Sequence, residues 1–210
     1  MKKVFVFILV LFMIIGCSNK ADDKVPNKLS PTDNAANISP INSFNLDSYM
    51  NRNDIQYIDL RSGKMILDEG YVAGFNFVPY YSIIASFSEH TTLYQMKTTI
   101  DGNGETHYAG QVGGFVPQYE ESQRIIESIF DKNKYIFLIS QAGSESAYMI
   151  NLLIQLGYDG NLLYNVGGVS NSEGPTPYKD VENNKYYVEG HSGFNPSVSY
   201  DFVSDLTPIN

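Results

Sequence analysis

The stretch YIFLISQAGSESAYMINLLIQLGYDGNLLYNVGGVSN, residues 135–171, decides the fold. Residues 135–140 are a short, nearly continuous apolar run, the pattern of a strand buried on both faces. A polar loop follows, Gln141-Ala142-Gly143-Ser144-Glu145. Residues 144–156 are apolar nearly all round, through Ala147, Met149, Ile150, Leu152, Leu153 and Leu156, which predicts a buried helix. Gly157 then stands as its C-cap, and residues 162–166 predict the next strand. Strand, tight loop, helix and strand in this order predict parallel strands joined through a covering helix. In such a sheet ligands bind beyond the carboxyl ends of the strands. The first N–H groups of the helix carry partial positive charge and suit an anion. The stretch therefore predicts a cradle with Ser140 at the end of its strand.

Working outward, the same alternation continues. Residues 118–131 predict an amphipathic helix with Ile125, Ile126, Ile129 and Phe130 on its inner face. Residues 55–60 are a second buried strand, and 72–78 a third, closed by Pro79. Short helices are predicted over 46–53 and 81–87. Residues 91–108 place strand formers on both sides of Asp101-Gly102-Asn103-Gly104, a hairpin signal. Asp101-x-Asn103-x-Glu105 also begins like a calcium loop. Thr106 stands where that loop requires Gly, and Val112 where it requires Glu, so a plain turn is expected. Beyond Val169 the chain is rich in loop signals, with Pro175, Pro177 and Pro196, and residues 185–189 are its one strand candidate.

The N-terminus has a different character. Met1-Lys2-Lys3 precedes 12 consecutive apolar residues at 4–15. That run is shorter than the about 20 residues a membrane-spanning helix needs, and it has the length and charge of a signal-peptide core. The ending Ile14-Ile15-Gly16-Cys17 resembles the lipobox of bacterial lipoproteins. The resemblance implies a signal peptide over 1–17, lipidation of Cys17, and an exported domain held to a bacterial membrane. Two or more acyl chains hold a protein stably where one is marginal. Residues 18–43, rich in Ser, Asn, Asp, Lys and Pro, are expected to form a flexible tether with a reach of roughly 25–30 Å.

Charge and cysteine content exclude several functions. The chain carries 14 basic and 23 acidic residues, a net of −9, and Lys2 and Lys3 belong to the leader. Such a surface excludes nucleic acid as a partner and leaves membrane contact to the lipid anchor. Cys17 is the only cysteine, which excludes an internal disulfide and a thiolate zinc site. His90, His107 and His191 share no ligand spacing, so no metal is expected. No cofactor motif is present.

Three local motifs, in order, resemble the rhodanese homology domain. YIDLRSGKMILDEGYVAGFNFVPY is similar to the family's Asp-x-Arg segment and the Gly- and Pro-marked segment after it. Asp59, Arg61, Gly70, Gly74 and Pro79 match, and Tyr71 stands in place of a His. FLISQAGSESAYMINLLIQLGYDGNLLYNVGGV is similar to the active loop, its helix, the Leu-Gly-Tyr turn and the closing Gly-Gly. The resemblance implies an α/β fold, a small doubly wound parallel sheet flanked by helices, over residues 44–210. Residues 85–118 read as a β-hairpin insertion and 170–210 as a loop-rich extension.

The family's loop runs Cys-x-x-Gly-x-Arg-Ser. Here it is Ser140-Gln141-Ala142-Gly143-Ser144-Glu145-Ser146, so Gly143 and Ser146 match while the nucleophile and the cation do not. Sulfur transfer in the family passes through a cysteine persulfide, and a serine cannot form one. Glu145 also places negative charge where an anionic sulfur donor would arrive. The expectation is a catalytically inactive domain that binds a small anion or a protein partner at the loop. Asp59 and Arg61 are expected to brace the loop, and Arg61 is the one cation expected near it. Two alternatives stand beside this one. In the first, Ser140 is a hydroxyl nucleophile served by Glu145 or a folded-over His. In the second, the chain is a structural envelope protein that adheres through its hairpin and Tyr-rich tail. Gly190-His191-Ser192-Gly193 is similar to a serine-hydrolase elbow, but Phe194-Asn195-Pro196 follows where a helix is required, so a turn is expected.

Overall fold

The computed structural model describes residues 24–85, 92–170, 174–190 and 207–209. The putting-together of the fold starts from four parallel strands. β1 (Ile55–Asp59) pairs with β3 (Asn76–Phe77) on one side and β8 (Tyr135–Ser140) on the other. β8 pairs with β9 (Leu163–Gly168), which gives the order β3-β1-β8-β9. The apolar runs read at 55–60, 135–140 and 162–166 are these strands, and β8 and β9 are buried almost throughout.

Around the sheet lie α1 (Gly63–Glu69), the single turn α2 (Tyr80–Ile83), α3 (Ser122–Ile129) and α4 (Ser144–Gln155). Alternate residues of each strand feed two cores. On one face Ile58, Ile136 and Leu138 meet Ile126 of α3 and Met149, Leu152 and Leu153 of α4. On the other, Tyr57, Phe137, Ile139, Tyr164 and Val166 meet Val25, Ile41, Leu46 and Tyr178. The chain is thus a mixed α/β protein whose parallel sheet is flanked by helices. Its second core is closed largely by extended chain and 3-10 turns.

That closure corrects the reading of residues 18–43 as a tether, from Lys24 onward. Val25, Ala36 and Ile41 are buried, and the segment is bonded along its length to the domain. Lys28 Nζ donates to the Gly160 carbonyl at 3.0 Å, Tyr164 donates to the Pro26 carbonyl at 2.9 Å, and Ser43 donates to the Thr176 carbonyl at 2.5 Å. A few well-spaced apolar residues suffice because the sheet already presents a groove of aromatic rings. A low average hydropathy does not report such spacing.

Local breaks account for the other departures. The strand expected over 72–78 is divided at Gly74, whose φ is +94°. Its first part, β2 (Tyr71–Val72), leaves the main sheet to pair antiparallel with β10 (Tyr187–Val188), and its second part is β3. The helix expected over 46–53 is a 3-10 turn, Leu46–Tyr49, ended before Asn51, whose φ is +64°. The helix expected over 81–87 is α2 followed directly by β4 (Ile84–Ala85), and residues 86–91 lie outside the described ones.

The segment expected as a hairpin, residues 85–118, holds more than a hairpin. β5 (Tyr94–Ile100) and β6 (Thr106–Ala109) pair antiparallel across the Asp101–Gly104 turn, as the sequence predicts. β5 also pairs with β4 and with β7 (Phe115–Pro117), which makes a second small sheet. Its base is buried through Tyr94, Met96 and Phe115, and its tip stands in solvent. Among the described residues no helix is long and apolar enough to cross a membrane. Cys17 and the expected leader lie outside the described residues.

Candidate functional site

The loop between β8 and α4 lies at the carboxyl end of the parallel strands. Its first residue, Ser140, is buried, and its Oγ accepts the Gly143 N–H at 2.9 Å. The Ser140 carbonyl accepts the Val169 N–H at 3.1 Å, so both ends of the residue hold the loop. Gly143 is left-handed, with φ +101°, and a Cβ there would come within 3.0 Å of the Ala36 Cβ. Glycine is therefore required twice over, for backbone angle and for the close pass of the N-terminal segment. Asn165 Nδ2 donates to the Gly143 carbonyl and to the Asn34 carbonyl, each at 2.8 Å. Its Oδ1 accepts the Gly167 N–H at 3.1 Å.

Gln141 and Glu145 define the chemistry of the rim. Gln141 Nε2 donates to Glu69 Oε2 at 2.6 Å and to Ser170 Oγ at 2.5 Å, and the Ser170 hydroxyl donates to the same Glu69 oxygen. Ser144, Glu145 and Ser146 open α4, so their N–H groups have no carbonyl of their own helix to bond. Ser146 is buried and its Oγ has no partner. Glu145 Oε2 and Gln141 Oε1 are likewise buried without a partner. Ala142 and Ser144 line a cleft of about 410 Å³ with Ala36, Asn37, Tyr148 and Asn165, none of them charged.

Asp59 and Arg61 form a buried pair. Arg61 Nη2 donates to Asp59 Oδ2 at 2.7 Å and Nε to Asp59 Oδ1 at 3.1 Å, with the Arg61 N–H on the same Oδ1 at 3.0 Å. Nη2 also donates to the Gly70 carbonyl at 2.8 Å, while Nη1 is buried without a partner. The pair thus fixes the chain at Gly70. The link to the loop runs one residue earlier, through Glu69 and Gln141.

The Glu145 charge acts on two tyrosines of α2, Tyr80 and Tyr81, and Tyr148 follows Glu145 along α4. Tyr80 is buried with its hydroxyl unpartnered, whereas Tyr81 and Tyr148 are exposed. The rings of Tyr80 and Tyr81 meet edge to face at 5.1 Å between centroids. Burial pushes the Tyr80 phenol well up, with Tyr81, Tyr148 and the Glu145 charge adding to it. Burial and the Glu145 charge push Tyr81 up as well.

The remaining candidates separate from the loop. His107 lies on the hairpin, bonded to Asp101 at 3.0 Å, while His90 and His191 lie outside the described residues, as does the elbow-like Ser192. Asp101, Glu105 and His107 bring one donor atom each within 4.8 Å of one another. The same Asp101 carboxylate caps its own turn by accepting the Asn103 and Glu105 N–H groups, each at 2.9 Å. His107, then these two N–H groups, hold the Asp101 carboxyl below its usual range.

Sequence reasoning missed Glu69, Ser170, Asn165 and the tyrosines. Asn165 alone left a signal, as the polar residue in an otherwise apolar strand. Glu69 and Ser170 flank turns and reach the loop only through the fold. Compared with protein-family models, curated proteins and solved structures, the chain matches none.

Proposed function

We propose that the chain is a rhodanese-like domain without sulfur-transfer activity, lipid-anchored at Cys17 outside the cytoplasm, that serves as a binding module. The observation that carries the reading is the use made of Ser140. Ser140, which the resemblance sets against the family's cysteine, ends β8, and its hydroxyl accepts the Gly143 N–H. It acts as a brace for the loop. A serine offers no thiolate, and Cys17 is the only cysteine of the chain. The pinned loop supports a binding role, because Asn165, Gln141 and Gly143 hold its shape before any ligand arrives. The free amides of α4 favour an anion there, while Glu69 and Glu145 oppose one.

The test has two parts. The purified chain is assayed for cyanide-dependent sulfur transfer from thiosulfate, with a rate equal to the protein-free blank expected. A rate above the blank refutes the reading. The chain is then melted against thiosulfate, sulfate, phosphate and small metabolites, in wild type and in Ala142→Trp, which narrows the cleft that Ala142 lines. A ligand of the folded site raises the melting temperature. A rise lost in Ala142→Trp supports the module, and no rise with any ligand refutes it.

A further inference from the structure

The tip of the hairpin carries a group of side chains that the loop and the cores do not use. The Asp101 N–H donates to the Glu105 carbonyl at 3.0 Å and closes the turn. Two residues further from the tip, Thr99 pairs with His107. Side chains alternate between the faces of a strand, and directly opposed residues share a face. Residues 101, 105 and 107 therefore project from one face of the ribbon. The Asp101 and Glu105 carboxylates and the His107 imidazole each bring one ligand atom within 4.8 Å of the other two. Glu105 and His107 are exposed and Asp101 is partly so, and solvent reaches all three.

The group is set before any ion arrives. Asp101 Oδ1 accepts the Asn103 and Glu105 N–H groups, each at 2.9 Å, while Oδ2 faces His107 Nε2 at 3.0 Å. Lys97 is the one Lys or Arg within residues 94–109, and its Nζ is turned to the Gly113 carbonyl at 2.8 Å. Among the described residues no Lys or Arg pairs with Asp101 or Glu105. Two carboxylates thus stand close together on a chain of net charge −9. Like charges this near repel, and a cation between them relieves the repulsion.

An imidazole nitrogen with two carboxylate oxygens is a donor set for a borderline metal ion. Imidazole suits zinc and its neighbours, whereas oxygen donors alone suit calcium and magnesium. Zinc takes His nitrogen and carboxylate oxygen at about 2.0–2.2 Å, and its open sites combine three protein ligands with water. Ligand atoms around such an ion lie roughly 3.3 Å apart. Asp101 and His107 already stand near that separation, and rotation of the exposed Glu105 side chain closes the rest. We propose that Asp101, Glu105 and His107 form a zinc site with one position open to water. With zinc bound, Nε2 gives its lone pair to the metal and the ring proton sits on Nδ1. The site lies apart from the loop and goes beyond the binding-module reading. The spacing of the histidines gives no sign of it, because its other ligands are carboxylates that the hairpin brings to His107.

The experiment strips the full chain of metal with EDTA, in neutral detergent micelles, removes the chelator and titrates with zinc chloride by calorimetry in a non-coordinating buffer. One zinc per chain should bind at the hairpin, and the His107 ring signals should shift in proton NMR. In His107→Ala this binding should vanish. In Asp101→Asn and Glu105→Gln, which keep the side-chain shape, it should weaken by at least about tenfold, since even a supporting group is worth about 10–100-fold in metal affinity. An excess of calcium or magnesium chloride should leave the zinc in place. The positions lie at an exposed tip, so zinc-free melting temperatures should match wild type. Glu105→Gln removes no side-chain bond of the fold and decides the matter if either other variant unfolds. No zinc uptake overturns the proposal. So does uptake that His107→Ala leaves unchanged, as binding at Cys17 or another histidine would give, displacement by calcium, or unchanged affinity in Glu105→Gln. None of these results bears on the loop, whose reading stands or falls by its own melts.

Discussion

Replacement of Ile41 by alanine tests whether the N-terminal segment belongs to the domain. Ile41 is 0% exposed and packs in the second core with Leu46, Met50, Phe137 and Tyr164. Truncating a buried Ile to Ala costs about 2–5 kcal/mol, from lost transfer free energy and the cavity left behind. For a domain of this size that lowers the melting temperature by roughly 4–20 °C. Urea unfolding followed by far-ultraviolet circular dichroism gives the free energy directly, with the slope showing whether the transition stays two-state. Leu29 is the internal control. It lies in the same segment but is 91% exposed, so Leu29→Ala should stay within about 0.5 kcal/mol of wild type. If Ile41→Ala is as mild as Leu29→Ala, residues 24–43 do not close the second core and the packing argument fails.

Three further outcomes are expected. Asp59→Ala leaves the Arg61 guanidinium buried without its carboxylate and should destabilise by about 3–5 kcal/mol in urea melts, with much of the loss recovered in Asp59→Leu/Arg61→Met. Gly143→Ala forces a side chain into a left-handed site against Ala36, so it should cost about 1–3 kcal/mol and speed limited proteolysis within residues 24–43. The pH profile should have two limbs. Burial lowers Lys28 to about 8 from its ordinary 10.5, so between those values the unfolded chain binds more protons and stability rises with pH. Burial raises Tyr94 and Tyr164 to about 12, so their contribution is intact below pH 10 and is lost as pH climbs through 12. The melting temperature should therefore climb from about pH 8 and fall above about pH 10, and Lys28→Met should remove the climb alone.

The central architecture was legible because it is written in short-range patterns. The apolar runs of β1, β8 and β9 admit few alternatives, and α4 is too long and too apolar to lie on the surface. Gly143 marked the loop, and the Asp-Gly-Asn-Gly turn marked the hairpin. Long-range partners were not legible. Glu69 reaches Ser170 across 101 residues, and Asn34 reaches Asn151 across 117. Nothing local distinguishes them from solvent-facing residues. The second core failed for a related reason. Val25 and Ile41 are isolated apolar residues in a polar segment, and only the aromatic groove made by Phe137 and Tyr164 gives them somewhere to go.

The position of β9 at the end of the sheet gives residues 24–37 a protective role. Among the described residues β9 pairs only with β8, and all six of its residues are buried. The N-terminal chain passes beside it, held at Pro26 by Tyr164, at Gly160 by Lys28 and at Asn34 by Asn165. Terminal strands with free backbone groups are templates on which other chains add strands. A protease cut within residues 24–37 would thus uncover an apolar strand edge on which a second chain can pair. Resistance of this segment to proteolysis and resistance of the domain to strand-by-strand aggregation become one property.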